Sequence, residues 1–313
     1  MSLLIGYLVD SNRTYMFEKI CNFFNNIKNK DKITLPILAT SDCEQFYNKN
    51  KNKLVINNFV CVVNRSNNYI LKIKFLINYA KKNGYKYCMK LDNDLLLPSF
   101  VFDRLFENLN ILDNDDNLFL SPTLSSGIPT VEYFNEDFFD KEDKEELEKS
   151  YLMCNFPKNL WDYDYSFLNN HTINTDVWDS KEYNNSLLKC GYNYTGIHPV
   201  RITSSIIDLT NQKLLKYKEK FYKEEKDVSL FYTKEPVYFC NSVFCIRTDV
   251  YDKIVSDQSL YVDQFDEVPL NKYCKKHNLN MVFIRKCYGI HIIYNSIPNH
   301  IEKEKQFVNN FLI

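Results

Sequence analysis

The chain has no Cys-x-x-Cys pair, no apolar run approaching a membrane span and no surplus of either charge. Each absence removes a class. Ten cysteines without metal-type spacing, in a 313-residue chain long enough to build its own core, argue against a disulfide scaffold and predict reduced thiols. A membrane helix needs roughly 20 apolar residues in a row, so none is predicted. The start, Met1 to Asp10, has no basic n-region and meets a carboxylate at Asp10. No signal peptide is predicted, and a cytoplasmic location is expected. The Asn-x-Ser/Thr triplets at Asn12, Asn64, Asn170, Asn184 and Asn193 then read as chance products of an Asn-rich chain. Lys and Arg number 39 against 40 Asp and Glu, for a net charge of −1. That balance argues against a protein that coats nucleic acid and leaves a local basic groove open. The segments around Lys213–Lys226 and Lys272–Lys276 are too mixed in sign to decide it. Glycine is scarce, at six residues, while Asn, Lys, Ile, Tyr and Phe abound, a bias that reads as AT-rich coding sequence. No internal repeat and no low-complexity linker divides the chain.

What is there is an acidic triplet. In residues 86–98 an apolar run, Lys-Tyr-Cys-Met-Lys-Leu, ends in Asp92-Asn93-Asp94, followed by Leu-Leu-Leu-Pro. Two carboxylates flanking one polar residue at a strand end are costly unless a cation or hydrogen-bond donors answer them. Carboxylate oxygens suit Mg²⁺ or Mn²⁺, and those ions bind phosphate oxygens in turn. Such a site suggests chemistry on an activated nucleotide substrate.

Apolar patterning predicts strands at 3–9, 33–40, 60–63 and 85–91, with helices at 15–27, 68–82 and 99–111 between and after them. Asn83-Gly84 is expected to end the second helix. Four strand–helix alternations in 125 residues build a mostly parallel sheet with right-handed crossovers, whose ligands sit at the carboxyl ends of the strands. Asp10, Asp42 and Asp92–Asp94 all fall at predicted strand ends. Residues 126–235 are less regular, with a charged run at 140–149, a Trp/Tyr-rich stretch at 161–178 and a charged helix near 211–226. The charge runs read as solvated helix faces. Strand character returns at 237–246, 281–285 and 289–293, with helices at 248–255 and 268–277. The expected architecture is one domain in two parts, residues 1–125 and 126–313 completing the same sheet.

The order of parts resembles the GT-A class of nucleotide-sugar glycosyltransferases, most like family 2. The residues that carry it are Lys90-Leu91-Asp92-Asn93-Asp94, Phe265-Asp266-Glu267-Val268-Pro269-Leu270 and Gly289-Ile290-His291, with Leu120-Ser121-Pro122 to Gly127-Ile128-Pro129 between. The resemblance implies a GT-A, Rossmann-like α/β fold with an irregular, helical acceptor-side insertion. Residues 1–125 would be the nucleotide-sugar half and 126–313 the acceptor half. It implies a hexosyltransferase that moves a sugar from a nucleotide-diphospho donor, a UDP-sugar, to a hydroxyl, with Mn²⁺ or Mg²⁺. Asp94 would bind the metal, and Asp92 the metal or the ribose and donor sugar. His291 would be a further metal or diphosphate ligand; a satisfied structural histidine is the other reading. Asp266 and Glu267 would supply the base that takes the acceptor proton in an inverting transfer. Family members usually show Glu-Asp here, so the reversed order leaves open which residue acts, and whether the transfer inverts. The same pair also reads as a cap on the following helix. Val9, Asp10 and Arg13 lie where the family contacts base and diphosphate, Asp42 where a carboxylate reaches base or ribose, and Lys72 where a cation meets the diphosphate. Each of these also reads as ordinary loop or surface charge.

Trp161, Tyr163, Tyr165 and Trp178 form either a stacking platform for an acceptor or the packing of an irregular region. Two other functions use the same sheet. A sugar nucleotidyltransferase shares the acidic site, yet its Gly-rich triphosphate loop is missing: the first loop here is Asp10-Ser11-Asn12-Arg13. A carbohydrate- or partner-binding module that lost catalysis has no need of two intact acidic pairs. The acceptor, whether glycan, protein side chain or modified base, is not legible.

Overall fold

The computed structural model describes residues 2–9, 13–40, 43–54, 60–64, 69–127, 130–153, 204–234, 241–260, 267–292, 294 and 300–312. The first half alternates as expected: β1 (Leu3–Leu8), α1 (Met16–Asn25), β2 (Ile33–Thr34), β3 (Pro36–Thr40), α2 (Glu44–Asn50), β4 (Val60–Asn64), α3 (Tyr69–Lys82) and β5 (Tyr87–Asp92). A short β6 (Leu95–Leu96) follows the acidic turn, then α4 (Ser99–Glu107), β7 (Asn117–Leu124), α5 (Thr130–Phe138) and α6 (Lys141–Met153). The later elements are α7 (Ser204–Lys216), α8 (Lys218–Tyr222), β8 (Leu230–Thr233), β9 (Val243–Arg247), α9 (Thr248–Ser256), α10 (Glu267–His277), β10 (Asn280–His291) and α11 (His300–Phe311).

The strands form one mixed sheet in the order β4-β3-β1-β5-β9-β7-β10-β6, with β2 also on β1 and β8 on β10. The strands β4, β3, β1 and β5 run parallel. Antiparallel β9 lies between β5 and β7, so β5, β7 and β10 share one direction. The α/β, Rossmann-like expectation therefore holds. Strands from both ends of the chain complete the same sheet.

Strand β1 shows why its sequence is apolar throughout. Leu3, Ile5 and Tyr7 face a core built with α1, α4, α5 and α11, while Leu4 and Leu8 face a second core built with α3, α9 and α10. A strand covered on both faces has no polar side to alternate with. Helix α3 ends where Gly84 takes φ +70° and Tyr85 N–H reaches the Ala80 carbonyl at 2.9 Å. That is a Schellman-type stop, and it needs a residue that tolerates the left-handed region.

Three expectations are corrected. The strands at 281–285 and 289–293 are one strand, β10, whose register on β7 shifts between Ile284 and Tyr288 and whose Lys286 has φ 62°. A bulge bends a long strand without ending it, so the polar break in the sequence is not a loop. The helical run near 211–226 begins earlier, at Ser204, and closes at Tyr222. The charged run at 140–149 is not wholly solvated. Asp143 is 8 % exposed and accepts hydrogen bonds from Lys213 and Lys216 of α7. The Trp161, Tyr163, Tyr165 and Trp178 stretch, and residues 237–240 of the strand expected at 237–246, lie outside the described residues.

Candidate functional site

Four carboxyl ends converge on one edge of the sheet. The register places Leu8 of β1 beside Asp92 of β5, so Val9 and the acidic turn are neighbours. The chain steps outward from β1 through β3 to β4, then returns to the other side of β1 as β5. That reversal is a topological switch point, where open α/β sheets leave a crevice for ligands. Ser125 and Ser126 follow β7, and His291 ends β10, at the same edge.

The acidic turn is pinned to β10. Leu95 of β6 pairs antiparallel with His291, and Ile292 N–H donates to the Asp94 carbonyl at 2.7 Å. Close packing allows this. A Cβ on Gly289 would sit 2.6 Å from Cδ2 of Leu124, so a larger residue there would make the Leu124 side chain shift. The Ser125 N–H then reaches the Gly289 carbonyl at 3.0 Å, and the Ser125 hydroxyl accepts from His291 N–H at 3.0 Å.

His291 is buried, with its Nδ1 2.8 Å from Ser126 Oγ and its Nε2 3.5 Å from Asp94 Oδ2. The Ser126 hydroxyl can accept from Nδ1–H; a protonated Nε2 then faces Asp94 as a donor, and a ring bare at Nε2 is the form that could ligate a cation. Asp94 is 15 % exposed, and its Oδ1 is buried with no hydrogen-bond partner. Burial by itself pushes the Asp94 carboxyl up. The charge and hydrogen bond of His291, then Arg13 and Lys90, outweigh it and hold the group well below the usual carboxylate range. That leaves Oδ1 as an ionised oxygen that could ligate a cation.

These residues fit a hard divalent cation shared with a phosphate. Among the described residues no cluster of three or more His, Cys, Asp or Glu side chains could hold a metal by itself. Asp94 and His291 together offer a carboxylate and an imidazole. Mg²⁺-type sites use one or two protein ligands and take the remainder from substrate phosphates and water. The hydrogen bond from Ser126 to the far imidazole nitrogen is the outer contact that orients a ligating histidine.

Asp92 sits differently. Lys90, on the same face two residues back along β5, is 1 % exposed and donates to Asp92 Oδ2 at 2.7 Å and to the Asn241 carbonyl at 2.6 Å. Its ammonium also stands 5.0 Å from the Tyr69 ring centroid. The Asp92 charge is thus answered by the protein, whereas Asp94 Oδ1 has no such partner. Asn93 and Asn241 are buried with unpartnered side-chain N–H groups near the turn. Lys72 of α3 donates to the Val9 carbonyl at 2.9 Å, which ties it to the end of β1. Arg13 engages Glu304 of α11 with Nε at 2.7 Å and Nη2 at 3.1 Å, and its Nη1 lies 3.7 Å from Asp94.

The fold therefore brings together Val9, Arg13, Lys72, Asp92, Asp94 and His291 of the residues expected from sequence. Asp10, Asp42 and Asp266 lie outside the described residues, as does the side chain of Glu267, which opens α10. Sequence reasoning missed Lys90 as the Asp92 counter-ion, Ser125 and Ser126 as supports of His291, and Glu304. The Lys90–Asp92 spacing of two on a strand was a usable signal, since it puts both on one face. Nothing local marks Glu304, which is 291 residues from its partner.

No protein-family model and no curated protein matches this chain. Similar solved structures include nucleotide-diphospho-sugar transferases. A fragment of S. aureus TarS, residues 1–349, aligns over 100 % of this chain and 71 % of the fragment at 10 % identity and TM-score 0.41. A protein described as a nucleotide-diphospho-sugar transferase from Desulfovibrio desulfuricans aligns over 40 % of this chain and 59 % of that one, at 11 % identity and TM-score 0.30. A cytidylyltransferase from Leptospira borgpetersenii aligns over 54 % and 71 %, at 16 % identity and TM-score 0.30. Against another TarS structure the alignment spans only 22 % of that chain.

Proposed function

We propose that this chain is a metal-dependent glycosyltransferase, moving a sugar from a nucleotide-diphospho donor, a UDP-sugar, onto a hydroxyl acceptor. The observation that supports it most is the buried, unpartnered Oδ1 of Asp94, whose Oδ2 lies 3.5 Å from His291 Nε2, at the switch point of the sheet. Asp94 and His291 would hold Mn²⁺ or Mg²⁺, which when bound offsets the charge developing on the departing diphosphate. Ser126 keeps the imidazole turned toward Asp94. Lys90 holds Asp92 in place to meet the ribose or donor sugar. Arg13 and Lys72 would meet the diphosphate, and Val9, Asp10 and Asp42 the nucleoside. Asp266 or Glu267 takes the acceptor proton as the hydroxyl attacks the anomeric carbon.

A panel of nucleotide sugars, each with and without Mn²⁺, tests this by thermal melting and by donor hydrolysis. One UDP-sugar is expected to raise the melting temperature by about 5 °C at saturation, and only with metal. Asp94→Ala abolishes that rise, whereas Asp266→Asn and Glu267→Gln keep it and lose transfer. Equal stabilisation of the Asp94→Ala variant removes the metal assignment, and normal turnover in both of the other variants removes the base.

A further inference from the structure

Two buried amides at the acidic turn have nothing to donate to. Asn93 is 4 % exposed and Asn241 6 %, and the Nδ2 of each is buried with no hydrogen-bond partner among the described residues. At the opposite edge of the sheet a buried amide is met: Asn117, which opens β7, donates to the Ile111 carbonyl at 3.0 Å. An amide N–H taken out of water and left unpaired costs stability. Two such groups at one spot point to an acceptor supplied from outside the chain.

The sheet brings the two together. Leu91 lies opposite Val243 in the β5–β9 ladder, and the Asp92 N–H carries the pairing one step further by donating to the Ser242 carbonyl at 2.8 Å. Asn93 and Asn241 are the next residues on the two chains. The Asn241 carbonyl accepts from Lys90 Nζ at 2.6 Å, and the same ammonium donates to Asp92. Asn241 is thus held against the turn through its backbone, while its side-chain N–H is unused.

Position says which part of a ligand meets them. Strand β9 lies on the far side of β5 from β1, where Lys72 donates to the Val9 carbonyl. A nucleotide sugar with its nucleoside at β1 and its diphosphate by Asp94 brings the transferred sugar, the end farthest from the base, toward Asn93 and Asn241. Phosphate oxygens are met most strongly by cations. The oxygens of a sugar are uncharged, and a hydroxyl both accepts from an amide N–H and donates to a carboxylate such as Asp92.

We infer that Asn93 and Asn241 are specificity-determining residues for the donor: their amides donate to hydroxyl or acetamido oxygens of the transferred sugar, and a donor without an oxygen there leaves them unpaired. This rests on the proposal that the site takes a nucleotide sugar.

The test is isothermal titration on the full chain with Mn²⁺ present. UDP is compared with UDP-glucose, UDP-galactose and UDP-N-acetylglucosamine, for native protein, N93L and N241L, and each protein is also melted without ligand. Leucine has nearly the shape of asparagine and no N–H. The affinity for the tightest-binding of the three sugars, relative to that for UDP, is expected to fall about tenfold in each variant, the worth of a lost hydrogen bond. Affinity for UDP itself is expected to stay within about threefold of native, since the nucleotide loses no partner. Ligand-free N241L is expected to melt within about 2 °C of native or above it, because apolar atoms replace an unpaired buried N–H. An unchanged ratio in a folded variant overturns the assignment of that residue, as it does where ordered water alone meets the amide. An equal loss for UDP and for the sugar overturns it too, since the amides then serve the nucleotide. Variants that both melt far below native, or do not fold, show structural amides and overturn the inference. Native protein that binds neither UDP nor any of the sugars overturns the nucleotide-sugar reading itself, and this inference with it.

Discussion

Single residues decide the chemistry of the crevice through what they leave unpaired. Lys90 spends its charge on Asp92, and Ser126 spends its hydroxyl on the far nitrogen of His291. Asp94 Oδ1 is what remains. If His291 holds the ion as proposed, Ser126→Ala is expected to weaken Mn²⁺ binding about tenfold with little change in melting temperature, the usual cost of losing the outer partner of a ligating histidine. Isothermal titration with Mn²⁺ checks it, and unchanged affinity means that the serine does not set the ring. Six cysteines are described as buried, and burial pushes Cys21, Cys88 and Cys274 among them up to about 12, which keeps those three as thiols near neutral pH.

At the scale of elements, α6 and α7 are joined by one carboxylate. Asp143 accepts from Lys213 at 2.6 Å, from Lys216 at 2.5 Å and from the Tyr217 hydroxyl at 2.8 Å. Those hydrogen bonds, Lys213 first and Lys216 next, hold the Asp143 carboxyl well below the usual carboxylate range. A group whose pKa is lower folded than unfolded stabilises the fold above its unfolded value, about 3.9, and that gain fades as pH falls through the folded value. Asp143→Asn is therefore expected to cost about 1–2 kcal/mol at pH 7. The lower end of the usual range applies because Lys216 is 58 % exposed. The gap between variant and native should close as pH drops from about 4 toward 2. Urea unfolding across that range measures it. A gap independent of pH would show that the carboxylate charge contributes nothing to the joint.

At the scale of the molecule, α11 packs into the first core and carries Glu304 to Arg13. Phe307, Val308 and Phe311 of α11 are buried, and Phe311 packs on Phe221 at 5.1 Å and on Phe307 at 5.4 Å. Burying three such side chains contributes about 5–9 kcal/mol, comparable with the whole net stability of a domain, about 5–15 kcal/mol. Deleting residues 300–313 is accordingly expected to leave the chain insoluble or unfolded at 25 °C. Circular dichroism and soluble yield of the truncated chain are the measurements. A native melting temperature would mean that α11 is an appendage.

The sequence by itself settled the alternation of elements and the acidic turn. Strands covered on both faces must be apolar throughout, as Leu3–Leu8 is, and Gly84 marks a helix end because few other residues accept its backbone angles. It also placed Asp92 and Asp94 at a strand end, since that much is local. Tertiary structure decided what else holds Lys90, because its hydrogen bond to the Asn241 carbonyl forms only when β9 lies beside β5. It decided that two polar-interrupted segments are one bulged strand, and that β6, two residues long, brings Asp94 to His291. It paired Arg13 with Glu304 across nearly the full chain. Periodicity records which face of an element is buried, but not which charge will stand opposite. That is fixed only when the strands take their order in the sheet.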